Sequence, residues 1–251
     1  MTMSDISLAG KVAVVMGGSG GIGAATARLL AEKGATLALT WRSDEAGAQQ
    51  LLATLPGSGH FAAHAAVEDT PSLKAFADAV QERLGRVDIL VNAAGFTKPV
   101  PAGDLDALDD AFIDRMFQVN WRGQFATIRA FRPLLEASGD GLIVNVSSIA
   151  ALNGVGSNIA YAAVKAAMDT LTKSLARSLA PAIRVMSVSP GIVDTDFVPG
   201  RGAEQLSKLA PTIPLRRVAT PLDVARAIVA TATHLTYSTG SVIIVDGGRA
   251  L

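Results

Sequence analysis

The sequence predicts an α/β fold in one domain: a doubly wound parallel sheet of about seven strands with helices on both faces. Two observations carry this. Seven short apolar runs alternate with helical patterns along the 251 residues, and such alternation implies parallel strands joined by right-handed crossovers. The runs are continuously apolar, as expected of strands covered on both faces. No linker, repeat or low-complexity segment divides the chain, so residues 1–251 read as one domain.

Taken in order, the strands fall at 12–16, 36–40, 61–67, 87–91, 142–146, 183–188 and 242–245. A helix over 22–33 stops at Gly34, a residue suited to the left-handed position after a helix. Thr70-Pro71 opens another, with a capping residue followed by proline at the first helical position. The stretch 104–136 is long enough for two helices, and 157–179 for one. Thr220-Pro221-Leu222-Asp223 repeats the cap-and-proline device and adds an acid at the third position. Residues 191–214 are irregular and rich in Pro and Gly. A loop that long in a compact domain is more often functional than decorative.

Composition removes several classes of function. Lys plus Arg equals Asp plus Glu, 22 each, which gives no electrostatic case for a nucleic-acid or anionic-membrane partner. There is no cysteine, so disulfides, thiolate metal sites and cysteine nucleophiles are excluded together. His60 and His64 lie four apart in a stretch that reads as extended, where that spacing makes no shared face. They read as solvated loop or edge positions, and no metal is expected. The start carries Asp5 rather than a basic run, and the first apolar run is too short to span a membrane. A cytoplasmic location follows by default.

The chemistry sits at the strand ends. The first strand runs into Gly17-Gly18-Ser19-Gly20-Gly21-Ile22-Gly23 and then a helix. A glycine turn there lets backbone approach a pyrophosphate resting on the helix N-terminus. Asn92-Ala93-Ala94-Gly95 follows the fourth strand, Ser147-Ser148 ends the fifth, and Pro190-Gly191 ends the sixth, with Thr195 soon after. Ligands of open α/β sheets bind at the carboxyl ends of strands, so these segments converge on one crevice. Tyr161 and Lys165 are four apart on a predicted helix and share a face. At about 4 Å and an effective dielectric near 20, a lysine charge favours phenolate by about 4 kcal/mol. That would bring a phenol toward the pH where acid/base catalysis is effective.

Together these residues resemble the short-chain dehydrogenase/reductase family. The resemblance rests on the glycine loop, Asn-Ala-Ala-Gly, Ser148 thirteen positions before Tyr161, Tyr-x-x-x-Lys, and Pro-Gly followed by Thr. It extends from Leu8 to Gly248 and includes the ending Val245-Asp246-Gly-Gly248. The resemblance implies a Rossmann-type fold and a nicotinamide-dependent oxidoreductase, similar to the 3-oxoacyl-[acyl-carrier-protein] reductases. It implies that Tyr161 is the general acid in reduction and base in oxidation, that Lys165 lowers its pKa and binds the nicotinamide ribose, and that Ser148 holds the substrate oxygen. Asn120 would link the site to a relay water, and Asn92 would steady the central strand. Ile192 backbone and Thr195 would grip the nicotinamide amide. A homotetramer or homodimer is implied as well. Two positions depart from the family pattern. Met16 stands where the glycine loop usually begins with Thr. Ala66 stands where an adenine-contacting acid is common, which leaves Val67, backbone groups or Glu68 and Asp69 for that task.

Charge favours NADP(H) over NAD(H). Trp41 occupies the place where NAD enzymes set an acid after the second strand. Arg42 and Ser43 follow, and an arginine fork suits a phosphate. Gly20 lacks the basic side chain that often assists. On the substrate side, Phe96, Ser148, Ile149, Ala150, Val155 and Phe197 are mostly apolar, with no cation set for a carboxylate. Arg201 in the irregular loop could supply an anion contact, although an exposed loop arginine is the better reading. A ketone or secondary alcohol on an apolar or thioester-linked frame is expected. The alternatives are a sugar or polyol dehydrogenase and a non-catalytic dinucleotide sensor or scaffold on the same fold.

Overall fold

The computed structural model describes residues 6–251, and Asp5 lies outside them. Seven strands form one parallel sheet: β1 (Val12–Met16), β2 (Thr36–Trp41), β3 (Phe61–His64), β4 (Ile89–Asn92), β5 (Gly141–Val146), β6 (Ile183–Pro190) and β7 (Val242–Val245). Their order is β3-β2-β1-β4-β5-β6-β7, so the direction of winding reverses between β1 and β4. That reversal opens the crevice in which ligands of such sheets bind.

The apolar strands feed two cores. Val12, Val14 and Met16 face one side of the sheet, against Phe76 and Val80 of α3 (Thr70–Leu84) and Phe131 and Leu135 of α5 (Gly123–Ala137). Ala13 and Val15 face the other, against Leu30 of α1 (Gly21–Glu32), Leu51 of α2 (Glu45–Leu52) and Ile228 of α9 (Pro221–Thr233). Side chains of successive strand residues point to opposite faces, so a strand covered on both sides must be apolar at every position.

Several local signals hold. Gly34 follows α1 with φ of 96°. Thr220 and Asp223 form a reciprocal cap at the start of α9: the Thr220 N–H donates to Asp223 Oδ2 at 2.8 Å, and the Asp223 N–H to Thr220 Oγ1 at 3.3 Å. Other elements depart from the expected bounds. The cap of α3 is Asp69, one residue before Thr70. Strand β3 stops at His64 because Ser72 Oγ takes both backbone groups of Ala66, at 3.1 and 3.2 Å, and turns the chain into α3. His60 is not merely solvated. Its Nδ1 accepts the Leu37 N–H at 3.0 Å and its Nε2 donates to Pro56 O at 2.8 Å, which selects one neutral tautomer. His64 is exposed at the sheet edge, its ring 5.0 Å from that of Trp41. Among the described residues no cluster of acids and histidines could hold a metal, and no helix is long and apolar enough to cross a membrane.

The 104–136 stretch holds α4 (Asp110–Phe117) and α5, joined through a π-helical turn at Gln118–Arg122. The remaining helices are α6 (Ala150–Asn153), α7 (Ile159–Leu179) and α8 (Ala203–Leu209). The 191–214 region is therefore not wholly irregular, because α8 and a short 3-10 turn at Ala210–Thr212 occupy its second half.

Candidate active site

The strand ends meet in a cleft of about 900 Å³. Gly20 to Gly23 line it from the β1–α1 turn, Ala93 to Gly95 from the turn after β4, and Val146 to Ile149 from the end of β5. Tyr161 and Lys165 enter from α7. Pro190 to Val198 close it from the β6 side, with Thr195 and Phe197 among them. The β5–β6 pairing makes this possible: the Ile149 N–H donates to Pro190 O at 3.0 Å, which sets Ser148 beside the Pro-Gly turn.

Helix α7 is aimed by several hydrogen bonds. Asn158, nearly fully buried, caps it by accepting the Tyr161 N–H at 2.7 Å, while its own amide donates to Thr97 Oγ1 and Lys98 O at 3.2 and 2.9 Å. Ser147 Oγ donates to Lys165 O at 3.2 Å, further along the helix. Asn158 was missed in the sequence, although an asparagine just before a helical pattern is a capping signal. Asn158→Ala removes the cap and leaves the Lys98 carbonyl without this donor. We expect a loss of about 1–2 kcal/mol, read as a lowered midpoint in thermal or urea unfolding.

The acid/base pair differs from its expected electrostatics. The Tyr161 phenol is buried, and Ser148 lies beside it on the cleft wall, close enough to act on its ionisation. Burial pushes its pKa up to about 12; Ser148 and the charge of Arg201 pull the other way. The expected downward pull from Lys165 is not what acts on it. Lys165 Nζ donates to Val146 O at 2.7 Å and lies 5.6 Å from the centre of the Tyr161 ring. Burial brings the Lys165 pKa down to about 8, against a smaller upward pull from Asp169. Burial is the largest influence on both groups, and the ammonium is bonded to the strand and lies over the ring.

The supporting asparagines are engaged with the protein itself. Asn92 donates to Asn145 Oδ1 at 2.9 Å, and Asn145 donates to Thr172 Oγ1 at 2.9 Å, so β4, β5 and α7 are tied together. Asn120 sits in the π-helical turn, a form of helix often found at functional sites. Its Oδ1 accepts the Phe96 N–H at 3.0 Å, and its amide donates to Phe96 O and Met116 O at 3.0 and 3.1 Å. Both amide hydrogens are thereby used, so the side chain holds the loop after β4. Phe96 and Ala150 do not line the cleft. Phe96 packs edge-on against Phe112 at 5.9 Å, and Ala150 is buried beside Tyr161. Val155, Ser148 and Phe197 do line it.

The glycine turn fits a dinucleotide pyrophosphate. No side chain caps the N-terminus of α1, and its first turn holds no acid. A Cβ on Gly20 would meet nothing within 4 Å, so the space above the turn is open to a ligand. A Cβ on Gly21 would lie 3.3 Å from Thr195 Cγ2, which places the β6 loop across the same helix end. At the far end, Glu68 gathers arginines: Arg115 at 2.7 Å, Arg42 at 3.8 Å, and Arg122 bonded to its backbone oxygen at 3.0 Å. Trp41 Nε1 is buried there without a hydrogen-bond partner. Gly17, Ser19, Ser43 and Val67 lie outside the cleft proper, Val67 nearly fully buried at the end of the β3 turn. Arg115 and Arg122 escape a reading of the sequence because they come to Glu68 from segments far along the chain.

A family model described as enoyl-(acyl carrier protein) reductase matches residues 17–250. The chain is 37% identical over 246 residues to the cis-4-hydroxycyclohexanecarboxylate dehydrogenase of Sinomonas cyclohexanicum, covering 96% of this chain and 97% of the relative. It superposes with a TM-score of 0.88 on the crystal structure of a 3-ketoacyl-(acyl-carrier-protein) reductase from Brucella melitensis complexed with NADH. Identity there is 31%, over 98% of this chain and 100% of that one. It superposes with a TM-score of 0.87 on a blue fluorescent protein from a metagenomic library in complex with NADPH, at 33% identity over 98% and 100% of the two chains. The strand-end motifs, the doubly wound sheet and these relatives agree: the chain belongs to the short-chain dehydrogenase/reductase family of nicotinamide-dependent oxidoreductases.

Proposed function

We propose that the chain reduces a ketone to a secondary alcohol, and catalyses the reverse oxidation, with NADP(H) and with Tyr161 as the proton donor and acceptor. The observation that carries this reading is the buried Tyr161 phenol standing with Ser148 at the wall of the cleft. A bound nicotinamide supplies or takes the hydride. The residues do the rest. Ser148 hydrogen-bonds the substrate oxygen, and Tyr161 delivers a proton to that oxygen as the carbonyl carbon gains its new C–H bond. In oxidation the same proton returns to Tyr161. Lys165, beside the ring, binds the nicotinamide ribose, and Ile192 and Thr195 hold the amide. Asn120 positions Phe96 and the loop after β4. The assembly is a homotetramer or homodimer working in the cytoplasm, which light scattering and fractionation would test.

NADP(H) is favoured by the arginines around Glu68. The closest partner of Glu68 is Arg115, so Arg42 is left exposed with its fork open. Two arginines at the Glu68 carboxylate and a third at its backbone oxygen make a cationic patch that suits a 2′-phosphate. With Glu68 turned toward the arginines, adenine falls to Val67 and backbone groups. Arg42→Ala should lower kcat/KM with NADPH by about 10- to 100-fold, the range of a charge-assisted bond, and leave NADH within a few-fold. Steady-state kinetics with both cofactors checks it, and equal losses would sink the assignment. A screen of NADPH oxidation over ketones, keto-acyl thioesters and sugars tests the reaction itself.

A further inference from the structure

Arg201 is not the exposed loop residue that its surroundings in sequence suggest. It is half-buried just before α8 and lines the same cleft as Ser148, Tyr161 and Phe197. Its backbone N–H donates to Val198 O at 3.2 Å, which fixes the turn that brings the side chain inward. Among the described residues its guanidinium has no ion pair and no hydrogen bond. The remaining arginines that lack such partners either lie over aromatic rings, as Arg83 and Arg129 do, or are exposed, as Arg177 and Arg226 are. Asp194 and Asp196 border the cleft on the same loop, yet both are exposed and neither pairs with Arg201. Burial pulls the Arg201 pKa down, and Tyr161 pulls it up. A guanidinium keeps its charge in proteins regardless. Holding it half-buried and unpaired costs free energy unless something in the cleft answers it.

We propose that Arg201 binds a carboxylate carried by the substrate, so that the preferred substrates are oxo acids and hydroxy acids rather than neutral ketones and alcohols. This rests on the ketone/alcohol reading of the same site. Arg201 lines the same cleft as Ser148 and Tyr161, close enough for its charge to act on the phenol. The anion must therefore sit on the substrate frame near the carbonyl. A guanidinium meets a planar carboxylate through two parallel N–H bonds, which fixes orientation as well as affinity. Val155, Phe197 and Leu209 line the cleft around it and would pack on the apolar part of the frame. The same pair of contacts, Ser148 and Tyr161 at the carbonyl and Arg201 at the carboxylate, would then present one face of the carbonyl to hydride.

The test compares 4-oxopentanoate and its longer linear homologues with their methyl esters, in the wild type, Arg201→Gln and Arg201→Lys. Both kcat/KM and calorimetric binding are measured. At the best chain length the acid should exceed its ester by about 10- to 100-fold, as a charge-assisted bond predicts. Arg201→Gln should erase that preference, with a far smaller loss on the esters than on the acids, and Arg201→Lys should keep part of it. No preference at any chain length in the wild type overturns the proposal. So does an equal loss on acid and ester in Arg201→Gln, which would place Arg201 with Tyr161 instead of the substrate. Ester turnover without acid preference removes the Arg201 site and leaves the reaction standing. Arg201-dependent binding of acids without any turnover does the reverse.

Discussion

Tyr161→Phe is expected to lower turnover by about 10²- to 10⁴-fold, the usual worth of one placed proton donor, with little change in melting temperature. The ring of Tyr161 packs against Met116, Ala150, Ala160 and Val164 in a small cluster of its own. Phenylalanine keeps those contacts. What it loses is the hydroxyl that stands beside Ser148, the group placed to protonate a substrate oxygen bound there. The pH profile separates this role from a structural one. With its pKa pushed up to about 12 by burial, the phenol is protonated at neutral pH and ready as an acid. Reduction should therefore show little dependence on Tyr161 ionisation near neutrality, whereas oxidation needs the phenolate and should climb as pH rises. That climb should vanish in the variant. Ketone-dependent NADPH oxidation by Tyr161→Phe at the wild-type rate would overturn the assignment.

Much of this is legible in the sequence, for a physical reason. Strands covered on both faces cannot hide. To serve two cores β1 must be apolar at Val12, Ala13, Val14, Val15 and Met16 alike, and the resulting pattern is a continuous run bounded by turns. The glycine turn, Ser148, Tyr161 and Lys165 are read from local spacing because each sits at a strand end or on one helix face. Short elements are less visible. Helix α2 buries only Ala48 and Leu51, and α8 only Leu206, so neither writes a strong stripe. Least visible are pairings that join distant segments. Asn158 to Lys98, Arg115 to Glu68 and Arg201 against Tyr161 exist only once the chain is folded. The Tyr161–Lys165 pair shows the converse. Its spacing is plain in the sequence, but the direction of the amine and the degree of burial, not the spacing, set the pKa.

Gly23→Ala should damage both fold and cofactor binding. A Cβ at Gly23 would overlap Gly17 O and would lie 2.9 Å from Gly17 C and 3.2 Å from Gly18 Cα. All three are backbone atoms, so no side chain can swing aside. Gly17 cannot retreat easily either. Its φ is 73°, its N–H is held by Thr40 Oγ1 at 3.0 Å, and its α-carbon lies against the turn after β4, where a Cβ would be 2.9 Å from Ala94 Cα. The first turn of α1 must therefore lift away from β1, taking with it the N–H groups that face the cleft. Overpacking of this kind costs about 1–3 kcal/mol, or about 2–4 °C in melting temperature per kcal/mol for a chain of this size. Gly20→Ala is the control for the fold. Its backbone is extended, with φ of −150°, and its Cβ meets nothing, so melting should be unchanged. Thermal unfolding and cofactor titration of the two variants separate the causes. Gly23→Ala should lose stability and nicotinamide affinity together, because the contact that fails is the one that shapes the turn; a Gly23→Ala protein that melts and binds like the wild type would show that α1 does not need this close approach.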